Sequence, residues 1–424
     1  MVRWLTVAAG LVLLLFALWQ AGRQLERGPT HAKSMSAAPP ILKIGTADPA
    51  DLLKQILRDE EVDERVLAEI EKQGNPTLAA EAYFVAARYE YQHKHRESAL
   101  RLLQRALNYA PDLAGLHEWQ AALLLEAGQY AEAVMQGERA VQLQPNSANA
   151  QRLLGLAYYD SGRNQEAVEA WNRSLQLAPD QEVKKYLEKA QREARVEEKF
   201  TQTARGHFVL RYEGGQPGEA LTEELLRVLE QQYDDLTREL GSSPAAPVTV
   251  TLYSAQQFSD VTQAPAWAAA VNDGKMRVPV GDVTTVTLQL QAVLRHELTH
   301  SFIHAAVPHC PVWLNEGLAQ FEERKDLAGS AGRLAIQLRS GEAPPLRQLE
   351  GSFLELGPEQ AQMAYAESLA AVEYLRSAYG LTGLQRLLGL LSDGETPEGA
   401  LRKTTLGGYE DLQRNVVLYV ASHS

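Results

Sequence analysis

Residues 288–323 read LQLQAVLRHELTHSFIHAAVPHCPVWLNEGLAQFEE, and this stretch decides the fold of the C-terminal half of the chain. Side chains four residues apart lie on one face of an α-helix, so His296 and His300 can converge on a single tetrahedral metal ion. Glu297 lies about 100° further round the same turn, where it can accept a proton from water but is poorly placed to bind the metal. The spacing predicts a helix whose two histidines bind zinc, with Glu297 as general base.

A second helix is expected to return a carboxylate to this metal. Pro308 and Pro311 bracket a turn, and the helical run that opens at Val312 carries Glu316. Three protein ligands leave one position for water, as in a catalytic zinc site. The alternative is a buried helix whose histidines only form hydrogen bonds in the core, with Glu316 a surface charge. The cost of burying such polar groups beside Glu297 without a metal argues against that alternative.

The motif HELTH at 296–300 followed by WLNEGLAQ at 313–320 resembles the gluzincin metallopeptidases, which include thermolysin and the zinc aminopeptidases. The closest resemblance within this group is to its bacterial peptidase MA-like branch. The resemblance implies an α+β zincin-like domain at 201–424, a zinc cofactor and Glu316 as the third metal ligand. The metzincin pattern requires a third histidine six residues after the second, and Ala306 occupies that position.

The resemblance also bears on two residues outside the ligand set. AYAESL at 364–369 resembles the region where the peptidase MA-like family has a tyrosine near the metal, which makes Tyr365 a candidate donor to the oxyanion. The alternative is a tyrosine packed on a helix over 360–379. Thermolysin has an aspartate four residues after its glutamate ligand, and this chain has Gln320 there, so different residues must orient the histidines.

Alternating segments before the metal helix predict a short α/β unit. HFVLRY at 207–212 and VTVTLY at 248–253 predict strands, and residues 219–240 predict a helix between them. VNDGKMRVPV at 271–280 predicts an edge strand, because Pro279 has no N–H to donate to a neighbouring strand.

An exposed edge strand beside the metal helix can hold an extended peptide as an added strand. We therefore expect substrate to bind along Met276, Arg277, Val278, Pro279 and Val280, as substrates of gluzincins do. The alternative is a plain surface strand. The Gly-any-Met-any-Asn element of the zinc aminopeptidases is absent from 271–280, which favours an endopeptidase.

The region before this domain has a 34-residue period. Its markers are Pro111, Pro145 and Pro179, together with Ala99, Ala133 and Ala167. The period resembles tetratricopeptide (TPR) repeats, each a pair of antiparallel helices. We place repeats at 80–113, 114–147 and 148–181 within an all-α solenoid over 51–200, with a helical pair or cap at 51–75 and a closing helix at 181–200. The concave surface of such a solenoid suits a peptide or partner protein, and the alternative role is a rigid spacer.

Residues 4–22 are uncharged and lie between Arg3 and Arg23. As a helix they would span about 28 Å, the thickness of a bilayer core. We interpret 1–23 as a membrane anchor rather than a cleaved signal peptide, because cleavage after Ala21 would place Trp19 where a small residue is required. Residues 24–50 are interpreted as a flexible linker. We expect the body of the protein outside the cytoplasm, although the positive charges after the span favour the opposite orientation.

Composition narrows the function classes further. The chain has 424 residues, 45% hydrophobic and 22% charged, which is typical of a globular multidomain protein. Its formal net charge of −13 argues against a nucleic-acid partner. Cys310 is the single cysteine. It could approach the metal, but a small apolar residue in the turn between two packed helices is the favoured interpretation.

The sequence thus predicts a multidomain protein with an N-terminal membrane helix, an all-α TPR solenoid and a gluzincin domain. The expected function is that of a membrane-anchored zinc endopeptidase whose repeats recruit the substrate or a protein partner. The alternative is a TPR scaffold whose peptidase domain is degenerate or occluded.

Overall fold

The computed structural model describes residues 42–93, 95–214, 218–262, 271–272, 275–280, 283–307, 310–327, 329–353 and 356–423. The described residues form two compact units that divide after residue 194. The predicted membrane segment and residues 24–41 of the predicted linker lie outside the described residues. Within the part of the chain that is described, the helices are too short or too polar to cross a bilayer.

The first unit begins with a short helical cap. Helix α1 (Pro49–Ile56) starts at Asp48, whose side chain accepts the N–H of Ala50 at 2.8 Å. The two-residue strands β1 (Leu57–Arg58) and β2 (Glu61–Val62) form a hairpin, and α2 (Glu64–Lys72) follows. The predicted cap at 51–75 therefore contains a hairpin between its helices. The predicted flexible linker is wrong at its C-terminal end, because residues 42–47 pack against this unit and α1 begins at Pro49.

Seven helices complete the first unit. They are α3 (Pro76–Gln92), α4 (Arg96–Tyr109), α5 (Ala114–Glu126), α6 (Tyr130–Leu143), α7 (Ala148–Asp160), α8 (Asn164–Leu177) and α9 (Gln181–Glu197). The pairs α3–α4, α5–α6 and α7–α8 recur with the predicted 34-residue period. The alanines that marked this period are fully buried, because only a small side chain fits where the helices cross.

A five-stranded sheet opens the second unit. Its strands are β3 (Phe200–Arg205), β4 (Phe208–Glu213), β5 (Val248–Tyr253), β6 (Val271–Asn272) and β7 (Met276–Pro279), in the order β3-β4-β5-β7-β6. The β4–β5 and β5–β7 pairs are parallel, and the two outer pairs are antiparallel. Strand β3 was not predicted: the predicted closing helix ended at residue 200, and residues 201–206 were assigned to no element.

The expected edge position of Met276 and Arg277 is wrong. Strand β6 lies outside β7 and pairs Asn272 with Met276 and Val271 with Arg277. The side chains of Met276, Arg277 and Val278 are buried. The backbone nitrogen of Pro279 still faces the outer side of β7. The N–H of Val280 donates to the backbone oxygen of Tyr253 on β5, and alternate residues of a strand direct their backbone groups to opposite sides.

Helices make up most of the rest of this unit. They are α10 (Glu219–Leu240), α11 (Ala255–Thr262), α12 (Leu288–Ala306), α13 (Val312–Glu322), α14 (Ala331–Ser340), α15 (Pro358–Ser392), α16 (Pro397–Thr405) and α17 (Tyr409–Ser422), with a 3₁₀ turn at Leu346–Glu350. The helical run is broken at Gly341 and Gly380, and both glycines have positive φ. One apolar core joins the sheet to α10, α12, α13 and α15.

Candidate metal centre

Helix α12 carries the HELTH motif and is fixed at its start and along one face. Thr287 is its N-cap, and its side chain accepts the N–H of Leu290 at 3.1 Å. Leu294, Leu298 and Phe302 are buried in the core of the second unit. Because these apolar residues hold one face of α12 against the core, the histidines are presented on another.

The structure brings together the three predicted metal ligands. The Nε2 atoms of His296 and His300 lie 3.2 Å apart, and Glu316 Oε2 lies 4.0 Å from His300 Nε2. One ligand atom from each of the three residues lies within 4.8 Å of the others. Among the described residues this is the group of His, Cys, Asp and Glu side chains that could hold a metal ion.

The outer nitrogens of both rings decide which atoms face the centre. His296 Nδ1 donates to Glu323 Oε2 at 2.9 Å, since an ionised carboxylate can only accept. His300 Nδ1 lies 3.1 Å from Asn315 Oδ1, which also accepts. Both Nε2 atoms of the neutral rings then present lone pairs to each other. Such a pair is repulsive until a cation lies between them, so the donor set fits a metal ion.

The electrostatics of the centre favour a positive charge. Burial acts against charge on His296, but its hydrogen bond to Glu323 and the carboxylates of Glu297 and Glu316 outweigh burial and raise the pKa of His296. Burial also opposes ionisation of Glu323, yet His296 and Lys325 lower its pKa. The carboxylates around the centre therefore favour a positive charge at His296.

Glu297 lies beside this centre without joining the ligand group. Its side chain is buried, with 9% of the residue exposed. Burial raises the pKa of Glu297, while the neighbouring His296 and His300 act in the opposite direction. A carboxylate with a raised pKa binds a proton more readily, which suits the predicted role of general base.

Two residues that position the histidines were missed in the sequence. Glu323 is seven residues, or about two helical turns, after Glu316, so the two side chains lie on nearly the same side of the helical run. Helical periodicity could therefore have identified Glu323 from the sequence. Asn315 precedes Glu316 within the quoted motif but received no role. These two side chains take the place of the thermolysin aspartate that Gln320 replaces.

An ion pair next to the centre links α12 to α13. Arg295 Nε donates to Glu322 Oε2 at 3.0 Å, and Arg295 Nη1 lies 3.6 Å from Asp235 on α10. Only 15% of the Arg295 side chain and 5% of the Glu322 side chain are exposed. Because Arg295 and Glu322 each adjoin a residue of the centre, this pair fixes the separation of the two helices there.

Tyr365 and Gln320 lie where α13 meets α15. The Gln320 side chain donates to the backbone oxygen of Glu316 at 3.2 Å and to that of Tyr365 at 3.0 Å. The Tyr365 ring packs edge-on against Phe353, with centroids 5.2 Å apart. Gln320 therefore ties the backbone of Tyr365 to the helix that carries Glu316, and the oxyanion role of Tyr365 stays a prediction.

Cys310 is not a member of the ligand group. It packs against the apolar core of the second unit, and burial raises the pKa of its thiol. Both observations agree with the interpretation of Cys310 as a small apolar residue in the turn.

Comparison with known families assigns both units. Residues 230–418 match the model of the Peptidase MA superfamily. Residues 121–162 match a TPR repeat model, and residues 148–181 match a tetratricopeptide repeat model, in agreement with the third predicted repeat. No curated protein matches the chain.

Solved structures of MamA share similarity with part of the chain. Two, described as "Crystal structure of MamA" and "Crystal structure of MamA protein", are 20% identical with a TM-score of 0.23; the matches cover 31% of this chain and 80% and 74% of theirs. A third, "MamA RS-1 ArsTM double mutant", is 18% identical with a TM-score of 0.24, covering 35% of this chain and 98% of that one. At these TM-scores the likeness carries no argument.

Proposed function

The chain carries a peptidase MA superfamily domain preceded by tetratricopeptide repeats, and we propose from this that it is a zinc-dependent peptidase. The observation that carries the proposal is the convergence of His296, His300 and Glu316 beside a buried carboxylate, Glu297. Two imidazoles and one carboxylate are a donor set typical of catalytic zinc, with a position left for water.

His296, His300 and Glu316 would hold the metal. When bound, zinc supplies Lewis acidity that polarises a peptide carbonyl and lowers the pKa of water. Glu297 accepts the proton of the attacking water and passes it to the leaving amine, and its raised pKa suits both transfers. Glu323 and Asn315 orient the two rings from behind.

We propose that the substrate is an internal peptide bond of a polypeptide. The absence of the aminopeptidase element from 271–280 supports this choice. In the observed sheet, Val278 and Pro279 are the residues of β7 beyond the two that β6 pairs with, and the Pro279 carbonyl faces away from β5. We propose that substrate docks along this outer side, and that Tyr365 donates to the oxyanion.

The repeats imply protein–protein interaction, and we propose that they recruit the substrate or a partner of the peptidase. The membrane anchor at 1–23 and a body outside the cytoplasm are further proposals, supported by the uncharged stretch at 4–22. Protease added to spheroplasts tests the location of the body: digestion of the chain supports an extracytoplasmic body, and full protection contradicts it.

The deciding experiment combines metal analysis with peptide hydrolysis. We expect one zinc per chain in the purified protein, and cleavage of fluorescent casein that stops on chelation. Glu297→Gln should retain zinc and lose hydrolysis by at least about 100-fold, the scale of general-base catalysis. Glu316→Gln should lose both zinc affinity and hydrolysis.

Glu342→Gln is the matched control, because Glu342 is an exposed residue of the same domain and should leave both measurements unchanged. Absence of zinc in the parent protein would favour the non-catalytic scaffold. Full hydrolysis by Glu297→Gln would show that another group is the base.

A further inference from the structure

Residues 42–47 (LKIGTA) lie on the first helices of two successive repeats. The backbone N–H of Gly45 donates to Glu81 Oε1 on α3 at 3.1 Å. A Cβ on Gly115 of α5 would lie 2.5 Å from Leu42 Cδ1, so the segment reaches the second repeat at that glycine. Leu42, Ile44 and Ala47 are partly buried against the core of the first unit, while Lys43 and Thr46 are exposed.

The two contact points are equivalent positions of the repeat. Glu81 and Gly115 are 34 residues apart, and the next equivalent position is Asn149 on α7. We call these three positions the first-helix row. Equivalent positions of a helical repeat lie side by side on one face of the stack, so the segment runs along a surface built by the repeat itself.

Glycine allows a close approach on both sides of this contact. A Cβ on Gly45 would overlap the carboxylate of Glu81, and one on Gly115 would press on Leu42. The first-helix row becomes polar at the third repeat, where Asn149 donates to Glu118 at 2.6 Å and accepts from Arg152 at 2.8 Å. The first two repeats therefore accept an apolar segment, and the third presents polar groups.

We propose that residues 42–47 are an intramolecular ligand of the first-helix row, and that they block binding of an external peptide of the same chemistry. That peptide carries two apolar side chains on alternate residues followed by glycine, as in Leu-x-Ile-Gly. Its glycine N–H bonds Glu81, and its first apolar side chain packs over Gly115. This inference concerns the repeats alone and does not depend on peptidase activity.

Competition between residues 42–47 and the external peptide determines how much the peptide Kd rises in the parent chain. A short tether gives a ligand an effective concentration of about 1 mM. A peptide whose intrinsic Kd is about 0.1 mM should then bind the parent chain roughly tenfold more weakly than a chain whose segment is displaced.

The test uses the full chain and a fluorescent peptide with the sequence LKIGTAD, that of residues 42–48, followed by anisotropy. Leu42→Asp/Ile44→Asp should displace the segment and lower the peptide Kd roughly tenfold. Lys43→Asp is the matched control: it adds the same charge at an exposed position of the same segment and should bind as the parent does. Gly115→Leu, added to the displaced variant, should abolish binding.

Equal peptide affinity in the parent and a folded displaced variant would overturn the proposal, as would absence of binding to that variant. Amide exchange in the parent gives a measurement that needs no substitution. The Gly45 N–H should exchange at least about tenfold more slowly than in the free peptide, because it is bonded to Glu81. Exchange at the rate of the free peptide would also overturn the proposal.

Discussion

The Nδ1 atom of His296 lies 2.9 Å from Oε2 of Glu323, so a carboxylate behind the ring fixes which nitrogen faces the metal centre. Residues in this position commonly change metal affinity by about 10–100-fold when they are removed. We expect Glu323→Ala to weaken zinc binding by that factor, measured by competition with a chromophoric chelator. Glu342→Ala should bind zinc as the parent does, and unchanged affinity in Glu323→Ala would show that the carboxylate has no positioning role.

Gly317 sets the approach of α13 to α15. A Cβ at this position would overlap the backbone oxygen of Ser368 and lie 2.8 Å from Val372 Cγ2. Since backbone cannot swing aside, Gly317→Ala should displace α13 and lower the free energy of unfolding by about 1–3 kcal/mol. Zinc affinity should also fall, because Glu316 moves with the helix.

Gly332→Ala on α14 is the control for that substitution. A Cβ on Gly332 meets nothing within 4 Å, so alanine should leave stability unchanged or raise it by up to about 1 kcal/mol. Urea titrations of both variants provide the comparison. Equal stability of Gly317→Ala and the parent would mean that the helices can separate without cost.

The metal helix could be predicted because its chemistry is local. Two histidines one turn apart and Glu297 between them are set by helical periodicity, and the structure reproduces this arrangement. Pairing between segments is different. The two-residue strand β6 has too little sequence to predict, so Met276 and Arg277 were assigned to an exposed edge that β6 covers.

Tertiary contacts account for the other differences. Gly45 and its neighbours have the composition of a linker, and only the equivalent positions of the repeats give them a surface to pack on. The role of Glu323 depends on how α12 and α13 are set against each other. Helical periodicity could place Glu323 near Glu316, but its contact with His296 required the structure.

The buried pair Arg295–Glu322 should be costly to break and inexpensive to replace. Burial raises the pKa of Glu322 in spite of Arg295, which shows that desolvation outweighs the attraction. Among the described residues, Glu322→Ala leaves Arg295 with the longer Asp235 contact alone, so we expect a loss of about 3 kcal/mol in unfolding free energy. Arg295→Met/Glu322→Leu should recover most of it.

Denaturant titrations measure the unfolding free energies of these variants, and an exposed ion pair provides the control. Arg402→Ala removes an ion pair with Glu398 whose arginine side chain is 67% exposed, and it should cost less than about 1 kcal/mol. A similar small loss in Glu322→Ala would contradict the importance assigned to the buried pair.

Glu367 on α15 should make the domain less stable as pH rises. Its side chain is fully buried, Oε1 accepts from Gln413 on α17 at 2.6 Å, and Oε2 has no partner among the described groups. Burial raises the pKa of Glu367 from 4.5 to about 7. The folded state therefore holds a proton that the unfolded state releases. The contribution of the Glu367 carboxyl group to the unfolding free energy is complete below about pH 4.5, falls as pH rises through about 7 and is then lost, a change of about 3 kcal/mol.

Glu367→Gln should match the parent in urea titrations near pH 5 and exceed its stability at pH 8. A difference between the two proteins that stays constant with pH would show that Glu367 ionises normally in the fold.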